Sequence, residues 1–597
     1  MLLQKLVEYS GRMNLPPPLY REKPLRYIIE LDSNGRFLGL TDAADPADRE
    51  LGRGQPRALP DVQRSSGIRP LLLADKADYA VGLGSDGDKG HRVRSAHAAF
   101  KNLLIECAEA TKEPSLGAVR QFLDGDPLDQ LKLDDEFDQG ATISFSVSGL
   151  LPTDLPSVQA FWAAQNDPEA QGAVVMQCVV CGEDRPVLER LQEKIKGVPG
   201  GQTSGTSIIS ANADAFESYG LEASLISPTC GSCGERLTKA ANQLLGSESS
   251  RVRMAGAAFV FWTAEDVEFD FIGSFTSPDP EAVKQLIESV RSGRPIPGLD
   301  DAQFGTKFYG SVLSGSGGRA VVRDWVDVTV RDVREQIVRW HIDHAIVGAY
   351  GEAPTALGLT ALVGATVREL RDVPVTTFRA MLRAGMTGTP LPHGLLYQAV
   401  RRNRAEQDVT RPRAALIKLV LKRLWARSEE DFMVQLEANN PDVAYQCGRL
   451  LAVLEQVQRQ ALPGIKAGIV DRFFGTASTA SRSVFPRLLR GAQPHLGKLE
   501  RDRRGAYVAL QGRLEEILFG LTGQSVDGAR LTFGEVTKSI NSFPAVLNLE
   551  QQGLFSLGYY HQRAFDRQQA RAAAERKRQG VSSEPEAELA DESAPAD

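Results

Sequence analysis

The sequence predicts an α+β protein with a mixed α/β N-terminal domain over residues 1–360, an α-helical bundle over 361–565 and a disordered tail over 566–597. Apolar runs of strand length alternate with helical periodicity up to about residue 360, and helical periodicity alone continues after it. The tail is first basic and then acidic, since residues 581–597 contain six acids and no base. A chain of 597 residues is long enough for two to four domains with their own cores.

The N-terminal domain begins with a helix, a hairpin and a second helix. "MLLQKLVEYSGRMNLPPP" predicts a short amphipathic helix ended by prolines, and its charges distinguish it from a signal peptide. "LRYIIELDSNGRFLGL" predicts a β-hairpin, because "SNG" tolerates the positive φ angles of a tight turn. "RVRSAHAAFKNLLIECAEAT" has helical periodicity and places Cys107 in the core as a small apolar residue.

Strands dominate the rest of this domain. The runs "ATISFSV", "AVVMQCVV" and "AAFVFW" have the length and apolarity of strands. "FYGSVLSGSGGRAVVRDWVDVTV" predicts a strand, a Gly/Ser turn and a second strand. Its "GSGG" lacks the GK[ST] ending of a nucleotide-binding loop, and no helix follows it, so a hairpin turn is the favoured interpretation.

The C-terminal half predicts one helix after another. In "YQCGRLLAVLEQVQRQAL" a single face carries Cys447 and five other apolar residues, while Arg449, Glu455 and Arg459 fall on other faces. "RPRAALIKLVLKRLWA" and "GRLEEILFGLTG" have the same periodicity. These segments predict a bundle, and "RQQARAAAERKRQG" predicts a fraying helix before the acidic tail.

Charge is distributed unevenly along the chain. The net charge is −7, but residues 1–360 carry −14 and residues 361–578 carry +13. A basic helical half is typical of a protein with a polyanionic partner, although a solvated helical surface without a partner fits equally well. No run of about 18 apolar residues occurs, so the sequence predicts no transmembrane helix, no membrane partner and a cytoplasmic protein.

Four of the six cysteines form two C-x2-C pairs separated by 48 residues, and a glycine follows each pair. Glycine lets backbone amides turn toward the thiolates, and four thiolates satisfy tetrahedral Zn²⁺ without an open position. The insert over residues 178–233 is therefore interpreted as zinc-ribbon-like, with a structural zinc as cofactor. Four free buried thiols and a redox dithiol are the alternatives. The predicted ligands are Cys178, Cys181, Cys230 and Cys233.

The segment between the two cysteine pairs contains "KGVPGGQTSG". Small hydroxyls and amides beside glycines allow the backbone to approach a sugar–phosphate chain, and lysines neutralise its charge. An ordinary surface loop is the competing interpretation. The candidate nucleic-acid-binding residues of this segment are Lys194, Lys196, Gln202, Thr203, Ser204 and Asn212.

A second candidate segment is "QPRALPDVQRSSGIRPLLLADKADYAVGL", in which arginines flank Ser and Gly before an apolar run. Arginine beside small residues is suited to phosphate or minor-groove contacts, and a solvated loop is equally consistent with the local pattern. The candidate residues are Arg57, Arg64, Ser65, Ser66 and Arg69.

Catalytic arrangements are weak by comparison. His341 and His344 lie three residues apart in "WHIDHAIV", and a structural role is favoured because no H-E-x-x-H signature accompanies them. The chain contains no G-x-S-x-G and no GxxxxGK[ST] motif. A nuclease would need an acidic cluster or an open zinc site, and neither stands out. A zinc-dependent nucleic-acid-processing enzyme is therefore the weaker hypothesis, beside an unrelated zinc-ribbon adaptor.

Several of these segments together resemble one family. They include "MLLQKLVEY", "QRSSGIRPLLLADKADYAVG", "IKGVPGGQTSGTSIISANADAFESYG", "FYGSVLSGSGGRAVVRDW", "CGRLLAVLEQVQRQA", "VDRFFGTASTASRSVFPRLL" and "LGYYHQR". These segments are spread over about 560 residues. Because of their order and spread, the chain resembles the large subunit of the type I-C CRISPR Cascade, a Csd-type CRISPR-associated protein. The acidic tail lies outside the resemblance.

The resemblance implies a non-catalytic subunit of a ribonucleoprotein that serves antiviral defence. Such a subunit lies near the 5′ end of the crRNA, recognises the protospacer-adjacent motif (PAM) on target double-stranded DNA and helps to open it, while base pairing with the guide reads the sequence and forms the R-loop. The helical half would stabilise the displaced strand. The implied partners are crRNA, target DNA, the backbone, 5′-handle and small subunits of Cascade, and a helicase–nuclease.

Overall fold

The computed structural model describes residues 1–44, 53–62, 64, 67–84, 90–131, 133, 137–166, 173–191, 193–211, 213–292, 304–429, 432–522 and 543–578. Within these ranges all strands precede residue 330, and the chain after it is helical. This confirms the mixed fold class and the helical C-terminal half. Residues 566–578, predicted as part of a disordered tail, instead continue the helix Leu549–Arg578. The acidic tail lies outside the described residues, and the domain boundaries at residues 360 and 565 stay a prediction.

The chain forms two compact units. Unit 1 consists of Met1–Arg251, Ala257–Trp262 and Ser311–Trp325, and unit 2 contains the described remainder of the chain. The strands are β1 (Tyr20–Leu25), β2 (Tyr27–Leu31), β3 (Phe37–Asp42), β4 (Gln55–Pro60), β5 (Ala74–Lys76), β6 (Thr142–Val147), β7 (Val175–Gln177), β8 (Asp184–Pro186), β9 (Arg251–Met254), β10 (Ala257–Thr263), β11 (Lys307–Ser316) and β12 (Arg319–Thr329).

Helices occur in both units. They are α1 (Leu2–Ser10), α2 (Ala77–Ala80), α3 (Gly90–Thr111), α4 (Pro114–Asp124), α5 (Pro127–Gln130), α6 (Pro156–Gln165), α7 (Gly231–Gly246), α8 (Phe271–Thr276), α9 (Pro280–Ser292), α10 (Val330–His344), α11 (Leu359–Gly364), α12 (Val375–Thr387), α13 (His393–Glu406), α14 (Arg411–Leu424), α15 (Val443–Ala461), α16 (Ile469–Ala477), α17 (Ser481–Asp502), α18 (Arg504–Thr522) and the C-terminal helix (Leu549–Arg578).

The core of unit 1 lies between helices and a four-stranded sheet of order β3-β2-β6-β5. The predicted hairpin is confirmed as antiparallel β2 and β3, and β2 pairs in parallel with β6. Gly35 has φ 75° in the hairpin turn, a conformation that favours glycine. Phe145 of β6 lies with its ring centroid 6.3 Å from those of Phe100 in α3 and Phe122 in α4. Cys107 is fully buried in the same core, as predicted.

The strands β12-β11-β10-β9 form a second four-stranded sheet in that order. Strand β11 ends within the "GSGG" segment and β12 begins directly after it, so the predicted strand–turn–strand is confirmed. Gly317 has φ 59° at the turn, and a Cβ there would contact nothing within 4 Å. A tight turn, rather than packing, therefore explains glycine at this position.

Unit 2 is built around α15 and the C-terminal helix, which touch at the backbone. A Cβ at Gly448 would lie 2.0 Å from the carbonyl oxygen of Phe555, and a Cβ at Gly558 would lie 2.1 Å from that of Tyr445. This close contact buries α15 on more than its apolar face. Arg449 is 1% exposed, and its guanidinium donates to Gln562 Oε1 and Glu516 Oε1 at 3.0 and 2.6 Å.

Candidate metal centre and nucleic-acid interface

The first cysteine pair lies in the turn between β7 and β8. Strand β7 ends at Gln177, earlier than the apolar run "AVVMQCVV" predicts, because the chain reverses at the cysteines. The backbone N–H of Cys178 donates to the carbonyl of Glu183 at 2.9 Å, and that of Gly182 donates to the carbonyl of Cys178 at 2.8 Å. Gly182 has φ 80°, so the first glycine does serve the turn.

The second cysteine pair begins α7. Cys230 is the N-cap residue and Cys233 lies in the first helical turn, where the helix dipole favours negative charge. Gly234, in contrast, is helical, and a Cβ there would lie 3.0 Å from Leu191 Cδ2 and 3.2 Å from Leu188 Cδ1. The second glycine therefore permits close packing of α7 rather than a turn toward the thiolates.

The two pairs converge on one point. The four Sγ atoms lie within 4.8 Å of one another; Cys178, Cys230 and Cys233 are buried, and Cys181 is exposed. A tetrahedral Zn²⁺ with Zn–S bonds of about 2.3 Å needs S···S separations of about 3.8 Å. The donor set and its spacing therefore fit a four-thiolate metal ion.

Burial and backbone hydrogen bonds shift the pKa values of three of the four thiols. Burial raises the pKa of the Cys230 and Cys233 thiols. At Cys178 burial acts in the same direction, but backbone N–H groups of Cys181, Cys230 and Val180 outweigh it and lower the pKa to about 7. A divalent cation would stabilise the thiolates, above all those of Cys230 and Cys233, which burial disfavours.

Backbone hydrogen bonds tie the two cysteine pairs together. The N–H of Val179 donates to the carbonyl of Pro228 at 2.9 Å, and the N–H of Leu188 donates to that of Thr229 at 3.0 Å. The segment between the two cysteine pairs therefore begins and ends at the same place in the structure, as expected of an insert that is fixed at both ends.

Inside this insert, residues 196–205 form the glycine loop. Its ends meet at Ile195 and Thr206, whose N–H groups each donate to the other's carbonyl at 2.8 Å. Asn242 of α7 holds the base of the loop: its Oδ1 accepts the N–H of Lys196 at 2.7 Å and its Nδ2 donates to the carbonyl of Lys194 at 3.2 Å. No local sequence pattern predicts this contact between Lys196 and a residue 46 positions away.

The glycine loop is docked on the last two residues of β11 and the two-residue turn that follows, residues 315–318, here called the hairpin tip. The N–H of Gly315 donates to the carbonyl of Pro199 at 2.7 Å, and the N–H of Gln202 donates to that of Gly317 at 3.3 Å. Ser207 continues the contact through its N–H to Gly318 at 2.8 Å. The two glycine-rich segments thus form one surface, a pairing that sequence reasoning missed.

Glycine is required where the two backbones meet. A Cβ at Gly315 would lie 2.0 Å from the nitrogen of Gly201, and a Cβ at Gly201 would lie 2.4 Å from Thr206 Cγ2. On the outer side, Lys196, Gln202, Thr203 and Ser204 are exposed. The result is an exposed ridge, in which the glycine loop carries polar side chains and the hairpin tip has almost no side chains.

Aromatic side chains are exposed farther along the insert. Phe216 is 50% exposed, and the guanidinium carbon of Arg319 lies 3.4 Å from its ring centroid. Tyr219 is fully exposed, with φ 56° in a turn closed by Ser218 and Leu221. Lys194 is half-buried at the base of the glycine loop, and Asn212 lies outside the described residues.

The arginines of the second candidate segment have different environments. Arg57 is exposed on β4, opposite Lys23 of β1, and Arg69 is also exposed. Arg64 instead bonds to the buried carboxylate of Asp75, and its guanidinium carbon lies 4.6 Å from the Tyr79 ring centroid. Ser65 and Ser66 lie outside the described residues.

One guanidinium links the two candidate segments. Arg21 of β1 lies 3.2 Å from the carboxylate of Asp61, just after β4, and 3.3 Å from that of Glu193, just before the glycine loop. Lys23 also pairs with Asp61 at 2.6 Å. The structure therefore brings together segments that lie more than 120 residues apart in the sequence.

The two histidines of "WHIDHAIV" are buried in unit 2. His341 Nε2 lies 2.8 Å from the carbonyl oxygen of Ser274, and His344 Nε2 accepts the N–H of Leu357 at 3.2 Å. Burial lowers the pKa of His341 to about 4 and that of His344 well below its ordinary value. Among the described residues, only the four cysteines form a group that could hold a metal ion.

Comparison with protein families agrees with this picture. A family model described as "CRISPR-associated protein (Cas_Csd1)" matches residues 4–565. The chain is thus a CRISPR-associated protein, and more narrowly it belongs to the Csd1 family of Cascade large subunits. Membership implies a complex with other CRISPR-associated proteins and nucleic acid. No curated protein matches the chain. No helix in the described part of the chain is both long and apolar enough to span a membrane.

Proposed function

We propose that this protein is the non-catalytic large subunit of a type I-C Cascade, which recognises the protospacer-adjacent motif on duplex DNA and helps to open the duplex. The observation that carries the proposal is the docking of the glycine loop on the hairpin tip, because it creates an exposed polar ridge that a sugar–phosphate backbone can approach closely. Sequence beyond the motif is read by the guide RNA.

The ridge has the chemistry of a minor-groove reader. Gln202, Thr203 and Ser204 offer donors and acceptors, and Lys196 offers a charge for phosphate. Arg57 and Arg69 extend the contact from the other segment, which Arg21 ties to the loop. The proposed set is completed by Arg64, whose bond to Asp75 positions that segment, and by Lys194, Ser65, Ser66 and Asn212.

Four thiolates form a common structural zinc site, and Cys178, Cys181, Cys230 and Cys233 would hold the ion. Four protein ligands leave no position for a water or a substrate, so the ion would serve as a cross-link between the two ends of the insert. This supports a binding role over the alternative, a zinc-dependent nuclease or hydrolase, which needs an open coordination position.

The helical half contributes the displaced-strand surface in this proposal. Residues 361–578 carry a net charge of +13, and charge of this kind neutralises phosphates without regard to sequence. The opened duplex would then recruit the helicase–nuclease, while crRNA and the backbone, 5′-handle and small subunits complete the complex in the cytoplasm.

The test is motif-dependent binding by the assembled complex. The chain is co-expressed with its crRNA and backbone subunits, and binding to duplexes with and without a flanking motif is measured across a salt series. Lys196→Gln should weaken both duplexes equally and reduce the salt slope by about one. Gln202→Ala should lower affinity for the motif duplex alone, by about 5- to 100-fold.

A matched control is Gln130→Ala, which removes the same amide from an exposed position in α5. It should leave both affinities unchanged. Equal motif preference in the Gln202→Ala and Gln130→Ala complexes would remove the loop from motif recognition, and failure of the chain to assemble with crRNA would overturn the proposed function as a whole.

A further inference from the structure

A cavity of about 280 Å³ opens in unit 2 between the end of α15, the start of α16 and the middle of α17. Its floor is apolar, because Leu454, Leu488 and Ala492 line it and are buried. The volume lies just below the roughly 300–1,000 Å³ of sites for drug-sized molecules. A cavity of this kind suits a small flat group better than a large ligand.

The rim combines an aromatic ring with two cations. Phe473 is half-buried, and the guanidinium carbon of Arg487 lies 5.4 Å from its ring centroid. Arg472 and Arg487 are exposed, and neither has an acidic partner within the described residues. A flat aromatic group can stack on this ring while the guanidinium groups neutralise an attached phosphate.

Polar groups with fixed positions complete the rim. Gln458 Oε1 accepts the N–H of Ile469 at 2.8 Å, which holds the amide at the cavity edge. His495 is half-buried in the lining, and burial together with Lys498 lowers its pKa. Its imidazole is therefore neutral at pH 7, with one donor and one acceptor, as the edge of a nucleobase requires.

The surrounding surface is strongly basic. Residues 466–504 contain nine Lys and Arg against three Asp and Glu. Exposed Gly491 lies at the cavity, and a Cβ there would contact nothing within 4 Å, so a chain can pass close to the helix. An apolar peptide would gain nothing from this positive charge, whereas the phosphates of a nucleic-acid strand would be neutralised by it.

We infer that this cavity binds one unstacked base of single-stranded DNA, with the base on Phe473 and the flanking phosphates at Arg472 and Arg487. That the strand is the one displaced from the target duplex rests on the proposed function. The binding chemistry itself does not, because it needs only a strand with unpaired bases.

The test compares two glycine variants of the same helix. Gly491→Leu places a side chain into the cavity, whereas Gly497→Leu adds the same side chain to an exposed position outside it, where a Cβ also has no neighbour within 4 Å. Both replacements raise helix propensity, so both chains should fold. The probe is a fluorescent 12-residue oligo-dT strand, with an abasic strand of equal length as reference.

The full-length wild-type chain should bind the base-containing strand about tenfold more tightly than the abasic strand, the effect of one stacked base. Gly491→Leu should abolish this ratio, and Gly497→Leu should retain it. An unchanged ratio in Gly491→Leu, or a wild-type ratio near one, would overturn the inference. A strand that carries 4-thiothymidine should also crosslink at residues 469–473 in wild type and not in Gly491→Leu.

The two proposals fail separately. A chain that prefers bases through Gly491 but does not assemble with crRNA would keep the cavity and lose the proposed function. A chain that assembles and binds its motif duplex, yet shows no effect of Gly491→Leu on strand binding, would lose the cavity alone.

Discussion

Replacing Gly315 with alanine should separate the hairpin tip from the glycine loop. The added Cβ would lie 2.0 Å from the nitrogen of Gly201 and 2.4 Å from the carbonyl carbon of Gly200. Ordinary contact begins near 3.4 Å, so the two backbones must move apart by about 1.4 Å. Both neighbours are backbone atoms, which cannot rotate away as a flexible side chain can.

The magnitude follows from the hydrogen bonds across this contact. Four N–H groups bridge the two segments and the residues directly after them, those of Gly315, Gln202, Ser207 and Ala320. Each such bond contributes about 0.5–1.5 kcal/mol net, and the exposed location lets water replace part of it. The docked state should therefore lose about 2–4 kcal/mol relative to the open state, which corresponds to roughly 30- to 1,000-fold faster opening-limited exchange.

Hydrogen exchange followed by mass spectrometry measures the rate of this opening directly, in peptides that cover residues 199–207 and 315–320. The matched control is Gly318→Ala in the same turn, whose Cβ would lie an ordinary 3.6 Å from Gln202 Oε1. Exchange should accelerate in Gly315→Ala only, and motif-dependent DNA binding should fall in parallel. Wild-type exchange and wild-type binding in Gly315→Ala would refute the argument that docking builds the reading surface.

Three further predictions concern the metal centre and unit 2. Purified protein should contain one zinc ion per chain. Cys181→Ser or a chelator should remove the ion and accelerate hydrogen exchange over residues 187–206. Metal analysis and hydrogen exchange on the same sample will test this. Burial lowers the pKa of Lys418 to about 7. Because the unfolded chain then binds more protons than the folded chain above pH 7, the free energy of unfolding of wild type should rise by about 2 kcal/mol relative to that of Lys418→Met between pH 7 and 9. The same pH dependence of stability in both proteins, measured by denaturant unfolding, would contradict this. Burial lowers the pKa values of His341, His344 and His561 below 6.5, so stability should fall as pH drops from 6.5 to 5, by about 1.6 kcal/mol for each of His341 and His561. A flat acid limb in urea denaturation would be incompatible with neutral buried histidines.

Local patterns determined much of this protein. The period of two in "YIIEL" and the turn residues "SNG" define the β2–β3 hairpin, since strand alternation and positive φ are properties of neighbouring residues. The spacing of the cysteines predicted a single four-thiolate group, and the structure brings the four Sγ atoms within 4.8 Å of one another. The helical half and the buried Cys107 and Cys447 followed in the same way from the period of 3.6.

Periodicity failed where polar residues are buried by distant partners. The pattern of α15 placed Arg449 and Glu455 outside the apolar face, yet both are buried. Arg449 bonds to Gln562 and Glu516, and Glu455 accepts the hydroxyl of Tyr559 at 2.7 Å. A charged side chain can be buried only where such partners satisfy it, and these lie 60 residues or more away in the sequence.

Sequence by itself predicted most of the elements, the four cysteines that could hold a metal ion and the resemblance to the Csd family. Only the tertiary structure decided which loops share a surface: it docked the glycine loop on the hairpin tip, paired Arg64 with Asp75 and joined the two candidate segments through Arg21. The physical reason is the sequence separation of the residues that make each kind of contact. Secondary structure depends on residues within one or two turns of each other, whereas a contact such as that of Pro199 with Gly315 exists only after the chain between them has folded.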